Sequence, residues 1–122
     1  MNKIFLIILL FNSAFARAED WKLISTDNLS NTFLSNEKII DLDNKKRFKV
    51  KSIFKNSRDI MGLQYNSTIT SFIISCELDL INARQQFAFN GNELVWTFPE
   101  STKDERASAE IPKKALEEVC IK

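Results

Sequence analysis

Four basic side chains at odd-numbered positions are the residues whose type and spacing most suggest chemistry. They are Arg47, Lys49, Lys51 and Lys55. Phe48, Val50 and Phe54 occupy even positions between them, and this alternation predicts a strand over 46–54 with one buried and one solvated face. Cations on one face would attract a polyanion, such as a glycosaminoglycan, or an acidic protein. The alternative is a solvated face whose charges keep the sheet soluble and prevent edge pairing.

A second candidate surface comes from Ser67–Leu80, which we interpret as a long strand. Its even positions are apolar: Phe72, Ile74, Cys76, Leu78 and Leu80. Alternation over this length, with β-branched residues, is typical of a strand. The odd positions are more polar but include Ile69 and Ile73. Together with Ile53 they could form a patch for a partner or a second copy of the chain, although scattered exposed apolar residues are also normal.

The sequence lacks the residues that most enzyme and metal sites need. It contains no histidine, which excludes Ser-His and Cys-His catalysis and removes the commonest metal ligand. Asp41–Asn44 begins like a calcium loop, but Lys45 stands where an acid or amide is needed, so we interpret the segment as a turn. The chain has only two glycines, too few for a glycine-rich phosphate loop. We therefore expect a non-enzymatic protein without a cofactor or metal.

The first residues have the layout of a secretory signal peptide. Lys3 precedes the apolar run Ile4–Phe11, and two overlapping small-residue cleavage sites end at Ala16 and Ala18. The apolar run is too short to cross a bilayer as a helix. We expect cleavage after Ala18, with Ala16 as the alternative, which leaves 19–122 as one domain with no transmembrane segment. Neither site carries a cysteine, so we expect a periplasmic, secreted or surface-associated protein without a lipid anchor.

The exported part is nearly neutral and contains two cysteines. The whole chain has 17 basic and 16 acidic side chains, and removing Lys3 and Arg17 leaves 15 against 16, a net charge of about −1. This balance gives no reason to expect a nucleic-acid partner. The two cysteines are Cys76 and Cys120. In an oxidising compartment, the simplest interpretation of such a pair is one disulfide. The long loop that it closes would stabilise the domain by roughly 4 kcal/mol in the chain-entropy model.

The remaining segments predict short strands and one long loop. Short strands are expected at Trp21–Ser25 and Thr32–Leu34, whereas 36–44 could be a strand with a turn or one helical turn. Asn56–Asn66 reads as a long loop, and loops of this length are often functional. Tyr65 in this loop is a further candidate binding residue.

A hairpin and a short helix complete the predicted fold. Asn90-Gly91 predicts a two-residue turn that places Phe87 opposite Leu94. The segment 99–108 could be a loop or include a capped helix. A helix from Pro112 to Cys120 is indicated by an apolar stripe: Ala115, Leu116, Val119 and Cys120. A disulfide to Cys76 would place this helix on the even face of the long strand, over Phe72, Ile74 and Leu78. We expect an α+β fold, a single mainly antiparallel sheet with the C-terminal helix disulfide-linked to one face.

Several of these residues follow a familiar order. The set contains an early tryptophan, a Tyr-x-Ser before the long strand, a cysteine late in it, a hairpin glycine, an Ile-Pro before the helix and a final cysteine: Trp21, Tyr65–Ser67, Cys76, Gly91, Ile111-Pro112 and Cys120. This order resembles the bacterial surface-adhesin protein E family. The resemblance implies a small, dimeric sheet-and-helix domain that binds host matrix or plasma proteins. Unlike the lipoprotein for which the family is named, this chain has no cysteine for lipid attachment.

Two classes of function follow from these observations. The first is an exported adhesin-like protein that binds a host matrix or plasma protein. The second is a periplasmic interaction protein, such as an enzyme inhibitor or a subunit of an envelope assembly. In both classes the partner is a protein or polyanionic ligand, and the expected contact surface is the odd-numbered face of the sheet.

Overall fold

Strands account for most of the chain that the structure, a computed structural model, describes: residues 20–35, 39–101 and 103–120. The signal peptide predicted at 1–18 lies outside these residues. The elements are β1 (Trp21–Thr26), β2 (Ser30–Ser35), β3 (Ile40–Leu42), β4 (Lys45–Ile60), β5 (Leu63–Ser75), β6 (Leu80–Asn90), β7 (Glu93–Phe98), β8 (Glu105–Arg106), α1 (Ala107–Glu110) and α2 (Lys113–Cys120).

The strands form one antiparallel sheet in the order β1-β2-β4-β5-β6-β7. β3 pairs with the beginning of β4, and β8 pairs with the beginning of β6. Along β4 the buried side chains Phe48 and Val50 alternate with the exposed Arg47 and Lys49, as expected for a sheet with one covered side. The sequence left 36–44 open between a strand with a turn and one helical turn. Its described part, 39–44, contains strand β3 followed by a turn.

The stretch Asn56–Asn66, predicted to be a loop, is instead the end of the β4–β5 hairpin. Both strands continue through it, so only Met61 and Gly62 form the turn. They have φ of +50° and +85°, and a type I′ turn requires positive φ at both positions. Methionine adopts this conformation only at an energetic cost, so Met61-Gly62 is a weak turn signal. The Asp59 carboxylate supports the turn by accepting a hydrogen bond from the Gly62 amide at 3.3 Å.

The hairpin predicted at Asn90-Gly91 joins β6 and β7, but its turn lies one residue further along, at Gly91-Asn92. The glycine has φ of +63°, which suits the first position of a type II′ turn. The predicted pairing of Phe87 with Leu94 is therefore wrong, and Leu94 lies opposite Phe89. A bulge shifts the register of these strands again, and alternation alone does not reveal a bulge.

The long strand ends earlier than predicted, at Ser75. Residues 76–79 form a turn in which Asp79 has φ of +56°, so Cys76 lies just after β5 and not within it. Leu78, predicted to be covered by the helix, is 68% exposed because the chain has left the alternation of the strand. The Ser75 hydroxyl accepts a hydrogen bond from the Leu78 amide at 3.4 Å and holds this turn.

The predicted C-terminal helix is confirmed as α2, and it packs on the even-numbered side of β4 and β5. The Cys76–Cys120 disulfide is also confirmed, with Cα atoms 5.6 Å apart. The core between the two layers contains buried residues from both: Ile24, Leu34, Phe48, Val50, Ile74, Ile81, Ala107, Ile111, Ala115 and Val119. Phe72 packs at its margin.

One antiparallel sheet with a helical layer on a single side describes the architecture better than the α+β label. The two helices have 4 and 8 residues, whereas β4 alone has 16. The segment 99–108, left open between loop and helix, contains a loop, β8 and the beginning of α1. Both helices contribute buried residues to the same core, so the opposite side of the sheet is left without a helical cover by the described residues.

Candidate binding face

We call the side of the sheet opposite α2 the open face. Directly paired residues on adjacent strands direct their side chains to the same side. A continuous row of such pairs crosses five strands of this face: Leu23, Phe33, Lys51, Ile69 and Phe87. Leu23 is 49% exposed and Ile53 is 38% exposed. The open face therefore presents apolar side chains to solvent in the central strands as well as at the edge.

Four cations lie along β4 on the open face, and we call them the basic row: Lys45, Arg47, Lys49 and Lys51. Arg47 is paired with Ile73 and Lys51 with Ile69, so the predicted cations and the predicted isoleucines share one surface. Residues two apart on a strand are spaced by roughly 7 Å. Lys45 was missed in the sequence analysis, although it continues the same odd-numbered alternation.

Lys51 connects the basic row to an aromatic side chain. Its Nζ lies 5.6 Å from the centre of the Trp21 ring, a cation–π geometry. Such a contact orients the ammonium group and leaves its charge in place. Trp21 was noted in the sequence only for its position near the start of the domain, because its contact with Lys51 depends on strand pairing through β2.

Lys55, a predicted member of the cation set, lies away from the basic row. It follows a register shift in β4 that begins after Ile53, and its backbone amide donates a hydrogen bond to the Leu29 carbonyl at 2.9 Å. Its charge acts instead on Asp27. The amides of Ser30 and Leu29 are the main cause that lowers the pKa of the Asp27 carboxyl, and Lys55 adds a smaller contribution.

Tyr65 also lies away from the basic row, near the end of the β4–β5 hairpin. Its ring packs edge-on against Phe54 with centroids 5.9 Å apart. The Arg58 guanidinium covers the same Phe54 ring at 4.2 Å. These three side chains hold the base of the hairpin arm together. Met61 at its tip is 81% exposed, so the arm is a second exposed feature, separate from the basic row.

Two open cavities lie on the open face, one at each end of the basic row. The cavity at the Lys45 end has a volume of about 200 Å³, and its lining includes Ile73, Ser75, Asn82, Arg84 and Asp104. The cavity at the Lys51 end has a volume of about 130 Å³, and its lining includes Ser67, Ile69, Phe89 and Asn92. Each cavity therefore combines a cation of the basic row with an isoleucine and a serine of β5.

Arg84 is a further cation of this surface that the sequence analysis missed. Ser71 pairs with Gln85 and Phe72 with Ala83, which leaves Arg84 as the extra residue of a bulge in β6. A bulge changes the direction of a side chain, and Arg84 lines the same cavity as Lys45. Its guanidinium also pairs with the Glu100 carboxylate at 3.2 Å. Both groups are substantially exposed, so this ion pair is weak and leaves other guanidinium N–H groups for a ligand.

Among residues 20–35, 39–101 and 103–120, no group of three His, Cys, Asp or Glu side chains converges where a metal ion could bind. None of the helices in this part of the chain is long and apolar enough to cross a membrane.

No protein-family model, curated protein or solved structure matches the chain. The candidate site is thus defined by its own geometry, a row of cations beside apolar side chains with a cavity at each end.

Proposed function

We propose that the chain is an exported, non-enzymatic binding protein that contacts its partner through the open face. The observation that supports this most is the difference between the two sides of the sheet. The helices and the disulfide cover one side, whereas the other presents the basic row beside Ile69 and Ile73. Apolar side chains that remain partly exposed beside charged groups, as the half-buried Ile69 and Ile73 do here, are typical of interaction sites.

The partner in this proposal is a protein or a polyanionic ligand. The cations would attract an acidic surface and raise the association rate, whereas the apolar side chains would supply short-range contacts. The resemblance to the surface-adhesin protein E family favours a host matrix or plasma protein. A homodimer through the open face is the competing use of the same surface.

A periplasmic interaction protein, either an enzyme inhibitor or an envelope-assembly subunit, is the second candidate function. The Cys76–Cys120 disulfide is compatible with it, because the periplasm is an oxidising compartment. Cell fractionation separates the two functions. Release or surface exposure supports the adhesin-like function, and strict periplasmic retention supports the alternative.

Quantitative capture experiments with the exported protein test the open face directly. Wild type, Ile73→Asp and Arg47→Glu would be incubated with serum, matrix extract and envelope extract, and the bound proteins would be measured. We expect both variants to lose capture, because one places a carboxylate among apolar residues and the other reverses a charge of the basic row. Lys114→Glu on the exposed side of α2 is the control.

Amide exchange on each variant shows whether β4 and β5 remain folded. Size-exclusion chromatography shows whether Ile73→Asp instead converts a dimer into a monomer. Capture that is equal for wild type and for both folded variants would contradict a binding role for the open face.

A further inference from the structure

We propose that the basic row binds a linear anionic polysaccharide that lies along β4, an inference that rests on the proposed function and names its ligand class. The row extends from Lys45 to Lys51 on one side of a single strand. At about 3.4 Å per residue these cations span ~20 Å. This length suits a segment of a polymer whose charges repeat, and it exceeds what a single small anion would contact.

The neighbouring strand supplies groups that suit sugar rings. Next to the basic row, β5 places Ser71 between Ile69 and Ile73 on the same side, opposite Lys49, Lys51 and Arg47. A sugar ring presents hydroxyl groups at its edge and apolar C–H groups on its faces. Sulfate or carboxylate substituents would meet the cations, while the rings would lie over the isoleucines and the half-buried Phe87.

The two cavities lie at the two ends of the proposed polysaccharide site. Beyond Lys45, the bulge residue Arg84 adds a cation from β6 to the wall of the larger cavity. Asp104 lines the same cavity and opposes an anion there. At the other end, Lys51 lines the smaller cavity together with Asn92. The ligand would therefore run between the cavities over β4 and β5, with its strongest charge contacts along the basic row.

The proposed site lies on the face of the sheet and not at its edge, which favours a polysaccharide over an acidic peptide. An extended peptide with acids at alternate positions would match the spacing of the cations. On the face of a sheet, however, its backbone N–H and C=O groups would lose water and find few partners, and this is costly. A single-stranded nucleic acid would meet the same cations with its phosphates, so an oligonucleotide is one of the comparison ligands.

Isothermal titration of the exported protein with heparin oligosaccharides of increasing length is the decisive experiment. Neutral dextran, polyglutamate and a single-stranded oligonucleotide are the comparison ligands. We expect binding by heparin fragments long enough to span the row, and weaker binding by the other three. Four neutralised charges at ~0.7 per charge, as for flexible single strands, predict a slope of log affinity against log salt near −3.

Lys45→Gln/Arg47→Gln tests whether the row itself is responsible. Both side chains are exposed, so the variant should fold, and we expect the salt slope to fall to about half, near −1.5. Lys113→Gln/Lys114→Gln on α2 makes the same change in net charge away from the open face and should leave the slope unchanged. Asp104→Asn should strengthen binding, because it removes the opposing carboxylate.

The outcomes separate this inference from the proposed function. Equal affinity for polyglutamate or the oligonucleotide would show that the row selects charge and not sugar, which overturns the polysaccharide. An equal loss of slope in the α2 variant would do the same. If no heparin fragment binds but Ile73→Asp still abolishes capture of a protein, the inference fails and the proposed function remains. If Ile73→Asp and Arg47→Glu also have no effect on capture, both fail.

Discussion

At the scale of single residues, Asp79 shows how a role depends on what the fold brings near it. In the sequence Asp79 and Glu77 lie two apart and could resemble an acid pair on one strand face, but solvated carboxylates or pairs with neighbouring lysines are the simpler interpretation. In the structure Asp79 lies in the turn after β5, where its carboxylate accepts hydrogen bonds from the Ser108 hydroxyl at 2.9 Å and the Ser108 amide at 3.1 Å. Its backbone carbonyl accepts a hydrogen bond from the Ala107 amide at 3.0 Å. Asp79 therefore anchors the first residues of α1.

We predict that acid releases this anchor. The hydrogen bond from the Ser108 hydroxyl is the main cause that lowers the pKa of Asp79 from its ordinary value of 3.8, and the Ser108 amide and Arg106 add to it. A carboxyl whose pKa is lowered by folding stabilises the folded state above its ordinary value and loses that contribution as pH falls through the lowered one. NMR titration should therefore show the Ser108 amide signal shifting below about pH 4.

Asp79→Asn is the variant for this titration, with Glu77→Gln in the same turn as the control. The asparagine should remove the acid-dependent shift of the Ser108 amide, and the control should retain it. An unchanged shift in Asp79→Asn would show that another group controls this amide.

At the scale of elements, α2 is held by links at its C-terminal end. The Lys46 ammonium donates a hydrogen bond to the Val119 carbonyl at 3.0 Å, and a cation at this end also suits the helix dipole. Lys22 pairs with Glu118 at 3.0 Å, but both side chains are exposed, so this pair contributes at most about 1 kcal/mol. The disulfide from Cys76 to Cys120 is the strongest link, because a loop of this length is worth roughly 4 kcal/mol in the chain-entropy model.

Replacing both cysteines by serine should release α2 while leaving most of the sheet folded. A helix of 8 residues is too short to persist undocked in water, whereas the β4–β5 ladder pairs through many residues without it. Amide exchange should show loss of protection in α2 and continued protection in β4 and β5. Lys22→Ala is the control and should leave α2 protected. Loss of protection throughout the sheet would mean that the helix layer stabilises the entire fold.

At the scale of the whole molecule, the covered core and the proposed binding surface lie on opposite sides of one sheet. Truncating Ile74, a buried residue in the core beneath α2, to alanine should lower the free energy of unfolding by about 2–5 kcal/mol. Substituting an exposed cation such as Arg47 should change the free energy of unfolding by no more than about 0.5 kcal/mol. Variants of the open face can therefore be used to study binding without unfolding the protein.

The predicted signal peptide can be tested on the intact chain. The signal layout predicts that the exported protein begins at Glu19, or at Arg17 if cleavage follows Ala16. Intact mass spectrometry of protein from the periplasm or medium should show one of these two N-termini, and a disulfide that reduction converts to two thiols. A mass that retains the apolar run at Ile4–Phe11 would refute processing at either site.

The local alternation of side chains already determined much of the architecture. Strand spacing in 46–54 and the apolar stripe of α2 are properties of short stretches, and two cysteines allow only one intramolecular pairing. Together they predicted the sheet, the helix and the face that the helix covers. They also placed Arg47, Lys49 and Lys51 with Ile69 and Ile73 on one surface. Period-two geometry assigns side chains to faces without knowledge of strand partners.

Only the tertiary structure decided strand ends, registers and bulges. Met61 and Gly62 form a turn because β4 and β5 pair on both sides of them, and Arg84 reaches the Lys45 cavity because β6 has one residue more than its partner there. These features depend on hydrogen bonds between residues far apart in the chain, which no local pattern encodes. A bulge is a mismatch between two strands, so it exists only once both have paired.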